Sequence, residues 1–131
     1  MMPCEIAVKS LIPAMRAYVA KELTQTHGMK QEEVANILGI SQTAISKYIS
    51  NVRGQAFKIG QTERLQKMLS GIASEVATEK ISGPPLTTRF CQVCKTARQS
   101  GLMCTLCKRY DPSIDVRTCS VCKTEQNCTL P

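Results

Sequence analysis

Seven of the eight cysteines fall between Cys91 and Cys128, in the pattern C-x2-C-x9-C-x2-C-x11-C-x2-C-x5-C. A CxxC turn aims two sulfurs at one point, and two such turns complete a tetrahedron of thiolates around Zn²⁺. Cys91, Cys94, Cys104 and Cys107 make the nearest complete set. Cys119, Cys122 and Cys128 are one ligand short of a closed site, which leaves several arrangements open. They can take a second metal with Cys4 or an external ligand. The pairs can cross over, with Cys91 and Cys94 joining Cys119 and Cys122. The set can also hold an iron–sulfur cluster, which uses the same thiolates. Zn²⁺ is the expected ion and the cluster is the alternative. The plain reading of the leftover cysteines is that they are spare. Cys4 by itself reads as a small buried hydrophobe.

A second pattern lies in QEEVANILGISQTAISKYISN, from Gln31 to Asn51. Two helices joined by a tight turn cross steeply and need a small residue where they approach. Ala35 supplies it. The turn needs tolerance of positive φ, and Gly39 supplies that. The second helix needs a branched apolar residue pointing back into the angle, and Ile45 fits. Val34, Leu38 and Ile40 fill the remaining core.

The elements that must position these residues follow from apolar spacing. Val8, Leu11, Ile12, Met15, Val19 and Leu23 form one helical stripe, so a first helix is predicted from about Leu11 to His27. Ser10 is its expected N-cap, and Pro13 is harmless in the first turn. Helices are also predicted at Gln31–Leu38, after a Ser41 cap to about Asn51, and from Thr62 to about Lys80. His27, the single histidine, reads as a surface residue. Ser82-Gly83-Pro84-Pro85 is the clearest break, since Gly and paired Pro stop a helix. The expected division is a helical domain at 1–81, a linker at 82–89 and a cysteine-rich module at 90–131. The fold class is mainly α: an N-terminal helical bundle plus a small irregular or β-ribbon metal module. With little core of its own, that module would draw its folding free energy from metal, on the order of 10–16 kcal/mol for zinc-finger peptides.

The stretch at roughly 10–54 resembles the phage-repressor-like (Cro or Xre type) helix-turn-helix. More loosely, the chain resembles a group of archaeal transcriptional regulators. That likeness runs from Pro3-Cys4-Glu5 through Leu11-Ile12-Pro13-Ala14-Met15-Arg16 to the CxxC tail. The resemblance implies a DNA-binding domain whose second helix, from Gln42 to Asn51, enters the major groove. Gln42 and Lys47 have the donors and acceptors to read adenine and guanine edges. Thr43 and Ser46 can read a base or a thymine methyl. Gln31 opens the preceding helix, where backbone N–H groups favour phosphate, and Ser41 is a further DNA-binding candidate. Arg53 and Lys58 suit phosphate contacts, and Asn51 suits either role. The partner is then double-stranded DNA, bound as a homodimer where operators are two-fold. The apolar stripe of the 62–80 helix offers either the dimer contact or packing onto the first helix.

Charge agrees without deciding. Lys and Arg number 17 against ten Asp and Glu. That surplus attracts polyanions whatever the fold. No stretch is long and apolar enough to span a membrane, and the N-terminus lacks the order of a secretory signal. The expected place is the cytoplasm, where paired CxxC motifs point to metal or redox chemistry rather than structural disulfides. No Ser/His/Asp set, paired acid site or phosphate loop stands out. A CxxC oxidoreductase would be expected near a βαβ pattern, which is absent. An enzyme is therefore not expected. The alternative function is a zinc-knuckle module acting on RNA or on the transcription machinery.

Overall fold

The computed structural model describes residues 3–51, Ile59, residues 62–110, and Pro112, Ser113, Asp115 and Arg117. All regular structure among them is helical. The helices are α1 (Pro3–Lys9), α2 (Leu11–Lys21), α3 (Gln31–Leu38), α4 (Gln42–Ile49), α5 (Glu63–Glu79), α6 (Gly83–Gln99) and α7 (Cys104–Tyr110). A five-residue π turn, Glu22–Thr26, extends α2.

Helix α2 is the hub. It packs against α1, α3, α4, α5 and α6. Its sequence explains this role: Leu11, Ala14, Met15, Ala17, Val19 and Ala20 are all buried. Small residues on several sides let neighbouring backbones approach, while Leu11, Met15 and Val19 fill the spaces between them. The stripe Leu65, Leu69, Ile72, Ala73 and Val76 of α5 is buried within the same chain, against α2, the π turn and α6. Tyr18 on α2 and Ser70 on α5 share a hydrogen bond of 3.1 Å. The apolar face of α5 thus packs onto the first helix, the second of the two roles expected for it.

Three regions depart from expectation and need correction. Ser10 does not cap α2 with its side chain. Its hydroxyl donates to the Ile6 carbonyl at 2.6 Å, because a separate short helix, α1, precedes it. The change of direction at Ser10 takes Val8 out of the apolar stripe, leaving it 64% exposed, while Ile6 and Ala7 go inward. Helix α2 also does not run unbroken to His27. The Thr24 hydroxyl donates to the Ala20 carbonyl at 2.9 Å, and the His27 N–H reaches back five residues to Glu22. Back-bonding of a Thr hydroxyl in this way loosens and bends a helix.

The second correction concerns 82–89. This segment, expected as a linker, is helical from Gly83. Lys80 ends α5 in the left-handed region (φ 57°), Ser82 is extended, and Gly83 turns at φ 62°. Pro84 and Pro85 then lie in the first turn of α6, where no N–H is needed. The residues that stop one helix start the next.

The third is the irregular or β-ribbon module. Within it, residues 90–99 and 104–110 are helical, joined by a turn, and they make no separate core. Leu86, Val93, Cys94, Ala97, Met103 and Leu106 join the same cluster as Ile6, Leu11 and Leu65. Helix α6 packs on α5 and α2, and α7 on α1. The Arg89–Glu75 ion pair fastens α6 to α5 at the surface.

Candidate nucleic-acid interface

The elbow between α3 and α4 is built as the spacing predicts. Gly39 ends α3 at φ 70°, and the N–H groups of Gly39 and Ile40 both return to the Ala35 carbonyl. That closure satisfies a carbonyl that the helix would otherwise leave open. Ser41 is extended, and its hydroxyl accepts from the Ala44 N–H at 3.0 Å, starting α4. Val34, Ala35 and Ile45 are buried together in the main core.

A Cβ built on Gly39 meets nothing within 4 Å. Only backbone strain therefore opposes a side chain there. Gly39→Ala is expected to cost about 1–2 kcal/mol in urea unfolding, and Gly39→Asn less, since Asn tolerates the left-handed region. An alanine variant as stable as the parent would show that the turn relaxes to another conformation.

Helix α4 is held on α2 by a small second cluster: Ala44 and Tyr48 against Ala17, with Ile40 beside them. Tyr48 is buried although it carries a hydroxyl. On the other side of α4 stand Gln42, Thr43, Ser46 and Lys47, all exposed, with Ser41 exposed just before them. The helix thus divides cleanly into an anchoring face and a polar outward face.

The remaining expected contacts differ in their surroundings. Gln31 opens α3 and is half-buried, but Glu32 and Glu33 share that first turn. Their carboxylates already complement the helix dipole there and repel a phosphate. Asn51 follows α4 in the left-handed region at φ 63°, and its side-chain oxygen accepts a hydrogen bond from Lys21. Lys21 was not foreseen; a basic residue closing the last α turn of α2 is its only sequence sign. Arg53 and Lys58 lie outside the described residues.

The stretch 21–58 contains this whole elbow. It matches a helix-turn-helix family model. The match covers α3, α4 and the end of α2, under a third of the chain. No curated protein and no solved structure matches the sequence.

The cysteines are placed differently from the tetrahedral expectation. Cys91 and Cys94 lie one turn apart on α6, Cys91 exposed and Cys94 buried; Cys104 and Cys107 lie on α7 and are half-buried. None of the four is in a disulfide. Tetrahedral Zn²⁺ needs its sulfurs converging to about 2.3 Å from one point. Among the described residues, no three Cys, His, Asp or Glu side chains are grouped to hold a metal ion. Among the described residues, then, Cys91, Cys94, Cys104 and Cys107 are not gathered into one four-thiolate set. Cys119, Cys122 and Cys128 lie outside the described residues. Among those described, no helix is long and apolar enough to cross a membrane.

Proposed function

We propose that this protein is a sequence-specific DNA-binding transcriptional regulator that reads duplex DNA with α4. One observation carries the reading: Gln42, Thr43, Ser46 and Lys47 are exposed together on a helix whose opposite face is anchored by Ala44, Ile45 and Tyr48. A helix of this width fits the major groove, and its N-terminal residues meet base edges first. Gln supplies a paired donor and acceptor for adenine, and Lys a donor for guanine. The match of residues 21–58 to a helix-turn-helix family supports the same reading. The basic surplus supplies the sequence-independent attraction to phosphates. No step of this reading runs through the cysteines.

The test begins with selection of a preferred duplex from a random pool. Gln42→Ala and Lys47→Ala should each reduce preference for that duplex over random DNA by about 1–3 kcal/mol per lost base contact. Thermal unfolding should be unaltered, because both side chains are exposed. Undiminished preference in both variants would remove α4 as the reading element. Equal or tighter binding to single-stranded or structured RNA would favour an RNA-associated protein instead.

A further inference from the structure

Helix α2 packs on α4, and Ala17 sets how closely. Its small side chain meets Ala44 and Tyr48, which lets the two backbones approach. Lys21 stands four residues after Ala17, one turn further along the same side of α2. Asn51 stands three residues after Tyr48, and its N–H still returns to the Tyr48 carbonyl at 3.2 Å. The two helices therefore meet once more, past the end of α4, where the Lys21 ammonium donates to the Asn51 side-chain oxygen. An ammonium accepts no hydrogen bond, so the amide can turn only its oxygen toward it. Lys21 is half-buried and Asn51 is exposed, which puts this charge at the rim of the α2–α4 contact.

That rim continues the outward face of α4. Thr43, Lys47 and Asn51 follow one another at four-residue steps, and all three are exposed. Asn51 lies nine residues beyond Gln42, about 13 Å at a rise of about 1.5 Å per residue. The major groove is about 12 Å wide. A helix whose first residues meet base edges thus brings its far end to the sugar–phosphate wall. A lysine stem is flexible, and a hydrogen bond to a neighbouring amide removes part of that freedom before DNA arrives.

We propose that Lys21 contacts a DNA phosphate from α2, outside the reading helix, and that Asn51 positions its ammonium at the exit of α4. The inference rests on the DNA-binding reading and adds to it a contact that fixes register without reading sequence. A purely structural role for Lys21 would be different in kind. A cation at the C-terminal end of α4 complements the helix dipole, which shows in stability and not in the salt dependence of DNA binding.

The test titrates the selected duplex and a random duplex with the full chain at several salt concentrations. Lys21→Gln keeps a donor for Asn51 and loses the charge. It should weaken both duplexes alike, about tenfold near 0.1 M salt, and lower the slope of log affinity against log salt by about 0.9. Lys21→Arg, which keeps the charge, should recover the slope. The parent slope in Lys21→Gln would overturn the proposal, whether or not that variant melts earlier. A loss confined to the selected duplex would overturn it too, since a phosphate contact does not discriminate between sequences. Acetylation of the unaltered chain decides the matter even if Lys21→Gln fails to fold. Saturating duplex should slow acetylation of Lys21, read by peptide mass. An equal rate with duplex bound would overturn the contact and leave the DNA-binding reading standing. Absence of any duplex binding by the unaltered chain would overturn both.

Discussion

Deleting residues 82–131 is expected to destabilise the remaining helices by about 3 kcal/mol or more, roughly what burying two leucine-sized side chains contributes. The expectation follows from where α6 and α7 sit. Leu86, Val93, Met103 and Leu106 are each at most 6% exposed and belong to the cluster that also holds Leu11, Met15, Leu65 and Leu69. Cutting the chain before α6 removes those side chains and uncovers the faces of α2 and α5 beneath them. Stabilities of whole domains are about 5–15 kcal/mol, so a loss of this size is a large part of the total. Urea unfolding followed by helical circular dichroism should show a lower midpoint and a smaller slope for the 1–81 fragment. A fragment with the midpoint of the full chain would mean that α6 and α7 form a unit of their own.

Ile45→Ala is expected to cost about 2–5 kcal/mol, the usual penalty for deleting a fully buried branched side chain and leaving a cavity. Ile45 is 0% exposed and is the fully buried residue of α4 in the main core, with Ile49 packed partly buried against it; Ala44 and Tyr48 belong to the smaller cluster. An eight-residue helix has almost no stability of its own in water. Losing this anchor should therefore loosen α4 selectively and abolish duplex preference before the rest of the bundle unfolds. Ile45→Val, which keeps the branching, should cost only about 0.5–1.5 kcal/mol. A cost below 1 kcal/mol for the alanine variant would place the anchoring of α4 elsewhere.

The elbow was legible in the sequence because each of its requirements falls on a different residue type. Ala35 allows approach, Gly39 allows positive φ, Ser41 caps and Ile45 anchors, and the structure places all four in those roles. The helices of 83–110 were missed because their residues satisfy two patterns at once. Cys91–Cys94 and Cys104–Cys107 have CxxC spacing, but three residues is also close to one helical turn. Leu86, Phe90, Val93, Cys94 and Ala97 recur at helical spacing, and four of the five are buried. Gly83-Pro84-Pro85 hid this stripe, since the same residues mark a helix end and a helix start. Arg98 continues the row Leu86–Phe90–Cys94 at four-residue steps, which is the sign that could have placed an arginine inside. Val8 shows the opposite error. It keeps the apolar period across Ser10, where the backbone bends, and period alone does not register the bend.

The clean division of α4 has a bearing on how such a protein changes over time. Gln42, Thr43, Ser46 and Lys47 make no contribution to the core, and the core residues of α4 face away from solvent. Exchanges among good helix formers at those four positions cost the core nothing, so selection can rewrite one set of letters while the scaffold that holds them stays fixed. Duplicated copies of this chain could diverge in target by changing only a handful of codons.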